Sequence, residues 1–356
     1  MEREEPPLVL GDVEALASAR LPPFWAEYVA GGAGDERTLR ANVEAFSAWR
    51  PRQRVLTGVG SVDTSVTLLG QNVASPVVVA PVAYQGLMHE DGELGMARAA
   101  AVAGSVFCLS TFATVSPAEV ASAAPTCVTW LQLYVFRDRG VTSELVAQAL
   151  EAGCRAIVLT VDLPVLAARD RERRLAWTFP DESLPAVRFA RGRGVGEPGV
   201  DIVDPGLDWT YLEQLCVALP VPVLVKGILE VEDAIRAADA GAAGVVVSNH
   251  GGRQLDGVMS TLEALPPIVD AVGDRVEVLL DGGIRRGVDI AVALALGARA
   301  VLAGRIPVWG LAARGEEGAR TVLELLREET QVALQLMGCA SARELDRSHV
   351  ARATVD

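Results

Sequence analysis

Apolar and polar positions change period along this chain in a way that marks out its elements. From residue 77 onward eight short runs are almost wholly apolar and rich in β-branched residues. They are Val77–Ala80, Ser105–Leu109, Val128–Leu133, Ala156–Val161, Val221–Val225, Gly244–Val247, Val276–Leu280 and Ala300–Ala303. Such runs are too short for buried helices and read as strands covered on both faces. Ala-rich stretches with helical spacing lie between them, Leu94–Ala103, Thr142–Ala152, Val231–Ala240 and Val288–Leu296. They stop at Gly104, Gly153, Gly241 and Gly297, residues suited to a left-handed helix end. Eight strand-then-helix units predict an α/β chain closed into a (β/α)8 TIM barrel, one domain over residues 1–356.

The flanking patterns differ. Residues 1–75 read as a helical lead-in and a base hairpin: Glu14–Arg20, then an aromatic stretch Phe24–Ala30 after Pro22-Pro23, halted at Gly31-Gly32-Ala33-Gly34. Asp35 is placed to cap a third helix carrying Leu39, Val43 and Phe46 on one face. Val66-Thr67-Leu68-Leu69, ending at Gly70, predicts a hairpin under the barrel. The interval between the fourth and fifth strands, residues 162–207, is long. Its charged start, Arg169-Asp170-Arg171-Glu172-Arg173-Arg174, and its Gly and Pro content predict a mobile lid over the barrel mouth. A last helix, Ala319–Met337 with Leu323, Leu326, Val332 and Leu336, is expected to close the barrel, and the tail to dock or fray.

Composition narrows the partners. With 46 acidic against 32 basic side chains the net charge is −14, which disfavours nucleic acid and anionic membrane surfaces. No run of 18 apolar residues predicts a membrane span, and Met1–Pro7 is acidic with no signal-type segment after it. Cys108, Cys127, Cys154, Cys216 and Cys339 are scattered, with no CxxC pair. Reduced thiols in a cytoplasmic protein, with no disulfide frame and no metal site, are expected.

Polar residues follow each strand. After the sixth comes Ser248-Asn249-His250-Gly251-Gly252-Arg253-Gln254-Leu255-Asp256-Gly257, in a chain with three histidines. A histidine after a strand is more often structural than catalytic. Here Arg253 can fork onto a carboxylate while His250 reaches an adjacent proton. The other strand ends supply Pro81-Val82-Ala83-Tyr84, Ser110-Thr111-Phe112, Gln132 with Tyr134, Thr160 with Asp162, and Lys226-Gly227. Asp281-Gly282-Gly283-Ile284-Arg285 and Gly304-Arg305 follow strands seven and eight, where barrels of this kind commonly hold a phosphate. Ser110, Gln132, Thr160 and Lys226 add groups for a polar planar ring, so the ligand reads as a phosphorylated flavin. A nicotinamide held by a GxGxxG turn is disfavoured.

These motifs, together with Tyr28-Val29-Ala30-Gly31-Gly32-Ala33 and Asp281-Gly282-Gly283-Ile284-Arg285-Arg286-Gly287, resemble the FMN-dependent L-2-hydroxy-acid oxidases and dehydrogenases from about Val13 to His349. The Gly-Gly-Arg-Gln-Leu-Asp-Gly run leans towards the bacterial mandelate and 4-hydroxymandelate oxidases. The resemblance implies that His250 is the base and that Asp162 orients it and raises its pKa. It implies that Arg253, Arg169 and Tyr28 hold the substrate carboxylate and Tyr134 the hydroxyl oxygen. Lys226 would face the flavin N1–C2=O edge; Ala83, Ser110, Gln132, Thr160, Ser248 and Asp281 would contact the cofactor; Gly283, Arg285, Gly304 and Arg305 would take its phosphate. FMN, a 2-hydroxy acid, O2 or another acceptor, and a homo-oligomer (tetramer or octamer) are the implied partners. Ala168 and Phe112 depart from the family, which often has Arg and Trp there. Two other readings stay open: a flavin barrel of the isopentenyl-diphosphate isomerase type, and a non-catalytic binding barrel.

Overall fold

The computed structural model describes residues 8–175 and 203–353. Eight parallel strands close into a barrel in chain order: β1 (Val77–Val79), β2 (Val106–Leu109), β3 (Val128–Leu133), β4 (Ile157–Thr160), β5 (Val223–Ile228), β6 (Gly244–Val247), β7 (Glu277–Asp281) and β8 (Val301–Ala303). Every residue of β1, β2, β4, β6 and β8 is buried. That is why these strands are continuous apolar runs rather than alternating ones: helices cover the outside and packed side chains fill the inside. The barrel expected from the sequence is therefore present.

Strand β5 departs from the expected boundary. It runs through Lys226 and Gly227 to Ile228, with a register break against β6 at Gly227. Gly227 has φ +111, and a Cβ there would lie 2.6 Å from the Asp162 Cβ. The bulge brings the strand so close to the β4 loop that only glycine fits. Lys226 thus issues from rigid strand rather than from a loop.

The lead-in helices are Val13–Arg20, Pro23–Ala30 and Arg37–Glu44. Asp35 does not cap the third, contrary to expectation, because Glu36 at the cap position is left-handed. Asp256, from the loop after β6, takes the N–H groups of Asp35 (3.0 Å) and Thr38 (2.9 Å) instead. The buried face of this helix is also polar, Thr38 and Asn42, while Val43 is exposed. The hairpin forms as expected, Val66–Leu68 against Gln71–Val73, with positive φ at Leu69 and Gly70, the pattern that matches strand twist. The Leu69 N–H donates to Glu277 Oε1 at the start of β7, which puts the hairpin at the barrel base.

The last helix is longer than expected, Arg305–Met337, bent at Arg314 and Gly315. Its inward face uses Leu323, Leu326, Thr330 and Leu334, whereas Val332 and Leu336 are half-exposed. The tail docks: Val350–Arg352 pairs antiparallel with Trp49–Pro51. Of the expected lid, residues 176–202 lie outside those described. Its charged start is not a loose solvated run, since Asp170–Arg174 is a short helix whose Arg171 pairs with Glu27 and Glu36 of the lead-in.

Candidate active site

The carboxyl ends of the strands surround one cavity of about 400 Å³, within the range that holds a small ligand with its cofactor. Its wall includes Tyr28, Ala83, Ser110, Gln132, Tyr134, Thr160, Arg169, Lys226, His250, Arg253, Asp281, Gly283, Arg285, Gly304 and Arg305. Of the residues singled out from sequence, Asp162 and Ser248 stand behind the wall rather than on it. A chain of net charge −14 therefore lines this cavity with five cationic side chains against the two carboxylates of Glu172 and Asp281, an excess that suits an anionic ligand.

At one end stands the candidate base, His250. His250 follows β6 in the left-handed conformation, φ +60, a strained choice for a non-glycine that commonly marks function. Its Nδ1 lies 2.8 Å from Asp162 Oδ1, and its backbone N–H donates to Ser248 Oγ (3.1 Å). Burial would raise the Asp162 carboxyl, but the charge and hydrogen bond of His250, then Lys226, outweigh it and hold it below the usual range. An ionised Asp162 accepts only, so Nδ1 carries the proton and Nε2 presents its lone pair to the cavity, 3.4 Å from the Tyr134 hydroxyl. Asp162 raises the His250 pKa, as expected, but not as far as its ordinary value. Burial is the larger effect and leaves the imidazole below it, since Asp162 raises it only in part while Lys226 and Arg169 lower it further.

Beside His250 two buried guanidinium groups meet. Arg253 donates through Nη1 to the carbonyls of Tyr28 (2.5 Å) and Gly31 (3.1 Å) and lies 4.7 Å over the Tyr28 ring. Arg169 Nε donates to the Arg253 carbonyl (3.3 Å). Glu172, which the sequence reading passed over, places Oε1 3.0 Å from Arg253 Nη2 and 3.6 Å from Arg169 Nη1.

Below these lies a second charged set. Lys226 Nζ donates to Ser248 Oγ (2.9 Å) and pairs with Asp281 Oδ2 (3.0 Å), and Ser248 Oγ donates to the same carboxylate oxygen (2.8 Å). Burial opposes the Lys226 charge, yet Asp281, Asp162 and the Asp281 hydrogen bond hold its pKa above the ordinary value. Ser248 thus supports Lys226. Around it, Gln132 Nε2, Thr160 Oγ1 and Asp281 Oδ1 are buried without a hydrogen-bond partner. Orphaned polar atoms facing a cavity are expensive unless a ligand satisfies them.

The far end suits an anion. Gly282 and Gly283 have φ of +90 and +81, and a Cβ on Gly283 would collide with the Asn42 carbonyl. Gly304 opens the last helix, whose N-terminus carries positive partial charge. Arg285 lies 5.2 Å over the Trp309 ring. The Arg305 guanidinium donates to the carbonyls of Val29 (2.8 Å), Gly251 (3.0 Å) and Gly31 (2.8 Å), which leaves two of its five N–H groups for a ligand. It lends charge to this end while fastening the lead-in and the β6 loop to the last helix.

Sequence reasoning missed Asn42. Its amide exchanges two 2.8 Å hydrogen bonds with the Asn249 amide, and its Oδ1 also accepts from Thr261 N–H (3.2 Å). The residue before His250 is thereby pinned to the lead-in. A polar residue at a buried helical spacing was the available signal.

The chain matches the family model described as FMN-dependent dehydrogenase over residues 17–352. It is 44% identical to L-lactate oxidase from Nostoc sp. over 355 residues, covering 96% of this chain and 97% of that protein. It is 41% identical to human 2-hydroxyacid oxidase 1, covering 96% of each. Among solved structures, mandelate oxidase with (S)-2-phenylpropionate superposes with a TM-score of 0.89 at 43% identity, covering 98% of this chain and 100% of that one. With near-complete coverage at this identity, and a cavity furnished for a phosphorylated planar ring, the chain belongs to the FMN-dependent dehydrogenase family.

Proposed function

We propose that the protein oxidises the hydroxyl of an L-2-hydroxy acid to the 2-oxo acid, with FMN as the electron acceptor in the site and O2, giving H2O2, as the final one. The observation that carries this reading is the convergence on one cavity of the His250 Nε2 lone pair, the Arg253 and Arg169 guanidinium groups, and the orphaned Gln132, Thr160 and Asp281 atoms. A 2-hydroxy acid offers a carboxylate, a hydroxyl proton and a C–H beside an electron sink, and these groups match it in kind.

The fit to FMN rests on the same atoms. Gln132, Thr160, Ser110 and Lys226 would meet the ring, and the Gly282-Gly283 turn, Gly304 and Arg285 its phosphate. When bound, FMN supplies the two-electron sink. The chain's own residues do the rest. Arg253 and Arg169 clamp the substrate carboxylate, and Tyr134 and His250 Nε2 meet the hydroxyl. His250 takes the proton at Nε2 while the ionised Asp162 stabilises the imidazolium formed. Lys226, held charged by Asp281, offers positive charge beside the ring.

The wall opposite is aromatic. Tyr84 stacks on Phe112 (6.3 Å between centroids), and Phe112 packs 5.5 Å from Tyr134. Tyr84 is held at φ +64, so the fold spends backbone strain to present that ring. An aryl substituent at C2 suits this wall, as the mandelate oxidase neighbours suggest. The relatives named as oxidases support O2 as acceptor. Five free thiols support a cytoplasmic setting. Leu255, Val165 and Leu166, exposed on two loops joined by Gln254, support self-association.

Purified protein should be yellow, and an L-2-hydroxy acid should bleach it without oxygen; air should then restore the colour with about one peroxide per product. An absence of bleaching by any aryl or alkyl 2-hydroxy acid refutes the proposal. His250→Ala abolishes bleaching on this reading, whereas an isomerase of the isopentenyl-diphosphate type would need neither His250 nor Arg253.

A further inference from the structure

Resting on the reading above, we propose that Glu172 is a specificity-determining residue. It shares the paired-arginine site with the substrate carboxylate and leaves that site one net positive charge, so the cavity accepts mono-anionic 2-hydroxy acids and rejects dianionic ones. Three observations carry this.

Glu172 lines the cavity with a side chain only 13% exposed, so its charge is screened little by solvent. One oxygen, Oε1, faces both guanidinium groups, at 3.0 Å from Arg253 and 3.6 Å from Arg169. The arginines need such a counter-charge, since both side chains are largely buried and both guanidinium groups lie within 3.6 Å of the same Glu172 oxygen. Two buried guanidinium groups without an anion would repel one another and bind any carboxylate, or two of them, indiscriminately.

Charge balance then decides the ligand. Arg253 and Arg169 contribute two positive charges and Glu172 removes one. His250 is neutral before reaction, and Lys226 is matched by Asp281. A single substrate carboxylate then neutralises the arginine pair, and Asp162, ionised behind His250, adds a further negative charge against a second one. A second carboxylate on the substrate would meet Glu172 in a poorly screened space, where like charges repel strongly. Arg253 spends Nη1 on two backbone carbonyls and one Nη2 bond on Glu172. Its planar fork has five N–H groups, so it can hold Glu172 and still donate to an incoming carboxylate. Glu172 is therefore a resident member of the site and not a plug that must leave.

The test uses the FMN-loaded protein with two non-reacting probes, butanoate and butanedioate, titrated by the change in flavin absorbance. The matching substrates, 2-hydroxybutanoate and 2-hydroxybutanedioate, are compared by kcat/KM. In Glu172→Gln the preference for the mono-anion is expected to fall by about tenfold or more in both measurements. Glu172→Asp, which keeps the charge, is expected to retain the native preference. Equal weakening of all four ligands in Glu172→Gln would make the residue a structural support and overturn the inference. So would a preference lost equally in Glu172→Asp. A native chain that bleaches with no 2-hydroxy acid sinks the functional reading itself. A native chain that turns over 2-hydroxybutanoate, with an unmoved ratio in Glu172→Gln, sinks only this inference.

Discussion

Replacing Asp162 by Asn keeps the shape of the side chain and removes the charge that faces His250 Nδ1 at 2.8 Å. Asp162 does little for a neutral imidazole and much for the imidazolium that proton transfer creates. An opposite charge at this range is worth about 1–3 pKa units, or about 1.4–4 kcal/mol. With His250 as the proposed base, the bleaching rate should fall by up to about 10- to 1,000-fold. The pH profile gives the sign. Burial already holds His250 below its ordinary 6.5 and Asp162 opposes that, so the native rate should be flat near neutrality and fall as pH drops through the lowered value. In Asp162→Asn the acid limb should move to still lower pH while the plateau drops. The assay is anaerobic stopped-flow bleaching from pH 5 to 9, roughly the range a histidine spans, with FMN content as the control for folding. A plateau within about threefold of native, or an acid limb that moves up in pH, would refute the reasoning. The same pair bears on stability. Both folded pKa values lie below the unfolded ones, so the His250 contribution is complete above 6.5 and lost as pH falls through its folded value. The Asp162 contribution is complete above 3.8 and is lost as pH falls through its own folded value.

Three further outcomes are expected. Lys226→Met leaves Asp281 buried and unpaired, so the denaturant midpoint should drop by the equivalent of roughly 3–5 kcal/mol, and a midpoint unchanged by the substitution argues against the pairing. Gly283→Ala drives a Cβ into the Asn42 carbonyl at φ +81; the purified protein should lose FMN on dialysis, as read by absorbance, with secondary structure retained. Asn42→Ala removes both amide bonds to Asn249 and should slow bleaching by about tenfold or more with FMN still bound; bleaching at the native rate would show that the His250 turn holds its shape unaided.

Much of this was legible in the chain. Strands buried on both faces have to be continuous apolar runs, so eight of them announced the barrel, and glycines at helix ends announced its punctuation. The candidate set was legible because chemistry restricts residue type: a base and a forked cation follow one strand, and a lysine stands near the end of another. The helix Arg37–Glu44 misled, because its inward face is Thr38 and Asn42, and a polar face turned towards a polar loop looks like a solvated one. The run 169–174, read as the start of a mobile lid, gave no sign of its pairing with the lead-in, since charges paired across the fold carry no mark of it along the chain.

What the amino-acid order determined by itself is the periodicity of burial and the kinds of reactive group available. Tertiary structure alone decided which charges are neighbours. It placed Glu172 between two arginines, put Ser248 against Lys226, and let burial outweigh Asp162 at His250. The physical reason is that burial and Coulomb energies depend on distances through space, which a closed barrel sets between loops that are far apart along the chain.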